Sequence, residues 1–176
     1  QRQMCIRDSA KGESFVIRMI TGASTAPECD GVLADAGAIK FRNPFQSDPT
    51  LRNNINSGNT YYQDMHLSHV EQQIRQGFYG DMAVAIIEAT GITEDGKIIP
   101  AMGIGHCNEV LKAAKQVIIE INTKQHELLE TMHDIYLDIG TPPNRKPIPL
   151  VKPDDRIGTP YFCLLYTSPS PRDLST

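Results

Sequence analysis

Two short hydroxyl-bearing segments, Gly22-Ala23-Ser24-Thr25 and Asn43-Pro44-Phe45-Gln46-Ser47-Asp48, carry the residue types that hold a small anion. Each follows an apolar run and precedes a helix signal, where free backbone N–H groups and a small hydroxyl can donate to a carboxylate or phosphate. By spacing alone a tight turn with capping hydroxyls is the more frequent account of the first, and an ordinary loop with an N-cap that of the second. Gly103-x-Gly105 ahead of a helix signal matches half of a phosphate-cradling loop but lacks the third glycine of the dinucleotide pattern. His66, His69, His106, Cys29 and Cys107 offer metal-ligand atoms, yet no paired motif of metal spacing joins them, and no metal is expected. Cys107 lies beside His106, but a nucleophilic thiol needs its base adjacent in space, and sequence neighbours usually diverge. Glu88 and Glu120 sit in strand-like runs, where a carboxylate more often caps or pairs than acts as a base. Local chemistry alone leaves the reaction open.

The elements that must hold these residues alternate in type. Phe15 to Ile20 is a short apolar run delivering the small-residue turn Thr21 to Ser24. Pro27 opens a helix over about Glu28 to Ala36, closed by Gly37, and Ala38 to Arg42 returns as a strand stopping at Asn43-Pro44. Asp48 is placed to cap a helix with Pro49 in its first position, ending at Ser57-Gly58. Ser68 starts a third helix with Val70, Ile74 and Phe78 on one face. Met82 to Ala89 reads as a central strand, apolar on both faces. Glu94 to Lys97 is a turn into a hairpin arm at Ile98 to Pro100. A helix near Asn108 to Lys115 precedes a second central-type strand, Gln116 to Asn122. Beyond Gly140 the prolines at 142, 143, 147, 149 and 153 predict an extended loop. The class expected is α/β, an open, mostly parallel sheet flanked by helices. In such sheets ligands sit beyond the carboxyl ends of the strands, which is where Ser24 and Ser47 fall.

Both ends of the chain are expected to have a different origin from its middle. If Cys163 to Ser168 is spelt TGT-CTC-TTA-TAC-ACA-TCT, the opposite strand, read two bases in, is ATG-TGT-ATA-AGA-GAC, which encodes Met4 to Asp8. Sequencing-library adapters of the transposase type produce such strings. Residues 1–9 and 163–176 are therefore expected to be adapter-derived tails, not native, and residues 10–162 to be the natural segment, an internal piece of a longer protein. That segment is long enough for one core, or much of one. The whole chain is acidic, at −4, and removing the tails leaves it more so. An acidic balance excludes the clustered Lys and Arg of a nucleic-acid footprint. Cys29 and Cys107, far apart, predict reduced thiols and a cytoplasmic setting. No apolar run reaches the ~20 residues that span a bilayer.

One ordered set of segments is more specific than any single motif. Ile20 to Thr25, Phe41 to Phe45, Leu51 to Gly58, Gly77 to Gly80, Glu88 to Thr90 and Ile92 to Gly96 come first. Val117 to Asn122, Met132 to Ile135 and Asp155 to Gly158 follow. Together they resemble the N-terminal domain of the acetyl-CoA hydrolase/transferase family, most nearly its succinyl-CoA:acetate CoA-transferases. The resemblance implies a CoA-transferase-like domain, incomplete here, in a two-domain homo-oligomeric enzyme with the active site between its domains. It implies transfer of coenzyme A from an acyl-CoA to a small carboxylate through a glutamyl-CoA intermediate, with that glutamate in the missing C-terminal domain. Net acyl-CoA hydrolysis is the alternative by the same route, and a non-catalytic anion-binding α/β module the alternative from another class. No catalytic residue is then expected within this chain. Ser24 matches the serine of the family's Gly-Ala-Ser turn, and Ser47 the hydroxyl residue after its Pro-Phe step; both are expected to bind substrate carboxylate. Gly105-His106-Cys107-Asn108 departs from the family's Gly-Asn-Ser or Gly-Asn-Asn and leaves acyl specificity open. The expected partners are acyl-CoA, a small carboxylate and the missing domain, with no nucleic acid, membrane or bound cofactor; coenzyme A enters as substrate.

Overall fold

The computed structural model describes residues 15–24, 27–137, 140 and 142–162. They fall into two compact units, one ending at Gln76 and the other beginning at Gly77. The expected tails at 1–9 and 163–176 lie outside the described residues.

In the first unit, β1 (Ile17–Ser24), β2 (Ile39–Gln46) and β3 (Tyr61–Tyr62) form a parallel sheet in the order β1-β2-β3. Helix α1 (Asp30–Asp35) crosses from β1 to β2, and α2 (Pro49–Asn56) from β2 to β3. Helix α3 (Leu67–Arg75) follows and packs against β2. The cap expected at Asp48 is present: its carboxylate accepts from the Leu51 N–H at 2.9 Å, with Pro49 opening the helix. That satisfies one of the donors a helix start leaves free. Helix α3 starts one residue earlier than expected, with His66 as its N-cap. Val70 and Ile74 are buried as its periodicity requires, whereas Phe78 is 73% exposed and outside the helix. The helix ends at Arg75, and Gly77, with φ +75°, turns the chain before Phe78 is reached. The small core is Ala34, Ile39 and Leu51, with Met19, Leu33 and Ile55 against it. A side chain buried as fully as Leu51 contributes about 1.5–3 kcal/mol.

Both strands run further than their sequence signals imply. Thr21 to Ser24 is strand, not turn, and β2 continues through Pro44 to Gln46. The register explains how. Ile20 pairs with Asn43 and Ala23 with Phe45, so Thr21 and Gly22 together stand opposite Pro44. An extra residue on β1 lets the ladder pass the one position that has no N–H to give. On the other side β3 pairs only with Phe41 and Arg42, so no ladder bond is asked of Pro44 there.

In the second unit, β4 (Met82–Ile92) lies between β5 (Ile98–Pro100), antiparallel, and β6 (Ala114–Ile121), parallel. The β4–β5 hairpin turns where Glu94 to Lys97 predicted, with the Thr93 N–H donating to the Lys97 carbonyl at 2.9 Å. Helix α4 (Cys107–Ala113) runs directly into β6. Ala85, Ile87 and Ala89 face a core completed by Ile98, Leu111, Ile135 and Phe162. On the opposite face of β4, Val84 and Ile86 are exposed among the described residues, as is Ile118 beside Ile86 on β6. β6, read as a central strand, is an edge of its sheet among the described residues. Residues 142–162 form no regular element, in keeping with their prolines, and are tied back by bridges of Ile135 with Thr159 and Ile98 with Phe162. The α/β class and the predominance of parallel pairing are as expected; the strands are shared between two three-stranded sheets.

Candidate functional site

The two serine segments meet at the carboxyl edge of the first sheet. Ser24 ends β1 and pairs with Gln46, which ends β2, and Ser47 is the next residue. Neighbouring strands lie about 4.8 Å apart, so these backbones are adjacent. The Ser24 side chain and residues 25 and 26 lie outside the described residues. Ser47 is half-buried, and its carbonyl accepts from Arg52 Nη2 at 3.4 Å.

A buried polar framework holds this edge. Arg42 and Asp30 are both fully buried, and Arg42 grips both Asp30 oxygens, Nε to Oδ1 at 3.1 Å and Nη2 to Oδ2 at 3.0 Å. The third guanidinium nitrogen, Nη1, donates to the Asn43 carbonyl at 2.6 Å. Asn43 Nδ2 donates to the Gln63 carbonyl at 2.9 Å, and the Tyr62 hydroxyl donates to the Pro44 carbonyl at 2.7 Å. Tyr62 is held above the usual phenol range, first by burial and then by the charge of Asp64, so it stays a donor. The Gln46 amide oxygen is sealed from solvent and has no hydrogen-bond partner among the described residues. Sequence reading picks out Ser24 and Ser47 but passes over Asp30, Arg42 and Gln46. Arg42 follows exposed Lys40 in strand alternation, so it reads as an outward residue. The register passes over Lys40, with Ile17 opposite Ile39 and Arg18 opposite Phe41, and this extra residue breaks the alternation and turns Arg42 toward Asp30 of α1.

The other sequence candidates sit elsewhere. Glu88 and Glu120 pair across β4 and β6, and Glu88 accepts from Asn122 Nδ2 at 2.6 Å, the pairing role expected for it. The His66 and His69 rings make an edge contact at 5.6 Å between centroids. Among the described residues no group of three or more His, Cys, Asp or Glu gathers to hold a metal. Helix α4 after Gly105 spans seven residues. Burial holds the His106 imidazole below its ordinary range and pushes the Cys107 thiol up to about 11. A histidine kept neutral beside a thiol kept protonated is the reverse of an activated pair. At pH 8 Cys107 should therefore react with iodoacetamide about two orders of magnitude more slowly in the folded chain than after unfolding, as read by peptide mass spectrometry. The raised value also means that the unfolded state loses this proton first, so stability falls as pH rises from about 9 toward 11.

A cavity of about 250 Å³ in the second unit is lined by Thr131, His133, Asp134, Arg156, Gly158 and Pro160. The two segments that build it are joined by Asp134, whose oxygens accept from the Ile157 N–H at 3.2 Å and the Gly158 N–H at 2.7 Å. His133 Nε2 has no partner among the described residues but is sealed from solvent, so it is not presented to a ligand in this cavity. No helix among the described residues is long and apolar enough to cross a membrane.

Comparison with known proteins accounts for nearly the whole chain. Residues 4–160 match the family model of the acetyl-CoA hydrolase/transferase N-terminal domain. The succinyl-CoA:acetate CoA-transferase of Clostridium kluyveri is 45% identical over 153 residues, covering 87% of this chain and 28% of that protein. The propanoyl-CoA:succinate CoA transferase of Escherichia coli K12 is 40% identical over 147 residues, 84% of this chain and 30% of its own length. The acetyl-CoA hydrolase of Schizosaccharomyces pombe is 38% identical over 151 residues, 82% and 29% respectively. The chain thus spans under a third of the length of these relatives. With the family model matched over most of its residues, this chain belongs to the acetyl-CoA hydrolase/transferase family, whose N-terminal domain it represents.

Proposed function

We propose that residues 10–162 are part of the N-terminal domain of a CoA-transferase and supply the carboxylate-holding side of its active site. Ser24 and Ser47 donate to a small carboxylate at the carboxyl edge of the first sheet. A glutamate outside this chain attacks the acyl-CoA thioester, giving an acyl-glutamyl anhydride and free CoA thiolate. The thiolate then attacks the anhydride at the glutamyl carbonyl, releasing the first carboxylate and leaving a glutamyl-CoA thioester. The acceptor carboxylate reverses these steps, so one difficult acyl transfer becomes several easier ones. Donors such as the two serines hold the carboxylate in line for attack. The observation that carries this reading is the register: Ser24 opposite Gln46, with Ser47 next, at a strand-end position where open α/β sheets bind ligands.

A hybrid tests it. Residues 10–162 replace the matching segment of the Clostridium kluyveri relative, and CoA transfer from succinyl-CoA to acetate is measured. The hybrid should be active, and Ser24→Ala within it should lower kcat/KM for acetate about tenfold, the worth of one hydrogen bond of ~1.4 kcal/mol. Unchanged kinetics across several carboxylates would remove Ser24 from the pocket. Hydrolysis is the second reading, favoured by the relatives named acetyl-CoA hydrolases. It predicts CoA release at full rate with no acceptor carboxylate present.

A further inference from the structure

We propose that the first turn of α1 is a positioning clamp for the Ser47 segment, with Asp30 and Arg42 as its working pair; this deepens the carboxylate-site reading and rests on it. The clamp grips the segment on both sides of Ser47. Ahead of it, Asp30 holds Arg42 by two bonds of 3.1 and 3.0 Å, and Arg42 holds the Asn43 carbonyl at 2.6 Å. Behind it, Gly31 abuts Asp48: a Cβ on Gly31 would meet Asp48 Oδ2 at 2.7 Å. Asp48 in turn caps α2 through the Leu51 N–H. Adjacent residues of one helical turn therefore bond one end of a segment running from Arg42 to Asp48 and stand closely against the other. The same helix follows the Ser24 strand in the chain, so the clamp relates one serine segment to the other.

Stability alone does not account for such a pair. Replacing a buried ion pair by apolar residues of similar volume is often neutral or stabilising, because desolvation offsets the attraction. What a forked guanidinium adds is direction, with each of its nitrogens committed to a different acceptor.

The test uses the full 176-residue chain and two variants, the double replacement Asp30→Leu with Arg42→Met, and the single Arg42→Lys. Backbone ¹⁵N relaxation reads local order and urea titration reads the fold. The expected result is a double variant whose urea midpoint is retained, while the order parameters of Gln46 and Ser47 fall from ~0.85 to below ~0.6 and those of Ala34, Ile39 and Leu51 hold. Arg42→Lys should loosen Gln46 and Ser47 in the same way, since an ammonium cannot reproduce the fork. Unchanged order at Ser47 in a folded variant overturns the clamp, as does uniform loosening of the whole unit. Failure of both variants to fold also overturns it, for the pair would then be needed for folding and not for position. Titrating the unmodified chain with sodium acetate separates the two ideas: no shift of the Gln46 and Ser47 amides sinks the pocket reading, while relaxation still decides the clamp.

Discussion

Arg42→Met with Asp30 left in place should destabilise the first unit by about 3–5 kcal/mol, a large part of the stability of a small unit. The aspartate would stay fully buried with two oxygens facing an apolar side chain and no water to replace the lost donors. The Asn43 carbonyl would lose its 2.6 Å donor in the same step. Removing one partner of a buried pair is far worse than removing both, because the surviving charge keeps its desolvation cost. Urea titration followed by circular dichroism measures the effect. The double replacement Asp30→Leu with Arg42→Met should recover most of what the single change loses. A single variant within ~1 kcal/mol of the unmodified chain would mean that water reaches Asp30 and that the pair is not sealed.

Gly158→Ala should unlatch the extended segment in the second unit. A Cβ there would stand 2.2 Å from the Ile135 carbonyl oxygen and 2.8 Å from the Tyr136 nitrogen. Both are backbone atoms, so no rotamer change relieves the clash. The strand contact must open, breaking the paired Ile135 and Thr159 bonds of 2.8 and 3.0 Å. The two Asp134 bonds to Ile157 and Gly158 are strained with it. Overpacking against fixed backbone costs about 1–3 kcal/mol and occasionally more. Trypsin should then cut after Arg145 and Arg156 at low urea, before the core opens. Because Phe162 completes the core and exchanges two bonds with Ile98, its displacement should lower the urea midpoint of the whole unit. An unchanged tryptic pattern would show that the segment tolerates the extra methyl. The family-like Asp155-Arg156-Ile157-Gly158 run thus has a packing reason for its glycine, where the sequence shows only a turn-forming residue.

Much of this architecture is legible in the sequence because it depends on local rules. Asp48-Pro49 announces a capped helix start through one side chain and one fixed φ, and both are used that way. The Glu94 to Lys97 turn and the alternation of strand and helix signals are equally local, and they suffice for the α/β class. The ordered segments also suffice for the family, since the matched span covers residues 4–160. Local rules mislead where a neighbour changes the terms. Asn43-Pro44 reads as the end of a strand, yet an extra residue on β1 lets β2 run on to Gln46. Phe78 fits the stripe of α3 but falls beyond the helix end. β4 reads as a central strand, apolar on both faces, while Val84 and Ile86 on one face are exposed among the described residues.

The residues that hold the candidate site divide along the same line. Ser24 and Ser47 stand out in the sequence as small hydroxyls after apolar runs, and the family resemblance is what makes them binding candidates. Sequence order likewise determined the α/β class and the family. That the two serine segments end side by side was decided by pairing register, which depends on hydrogen bonds between residues some twenty positions apart in the chain. The burial of Arg42 on Asp30 was decided by the extra residue Lys40 on β2, which turns Arg42 toward α1, since exposure depends on pairing register and on what covers a residue and not on the residue itself.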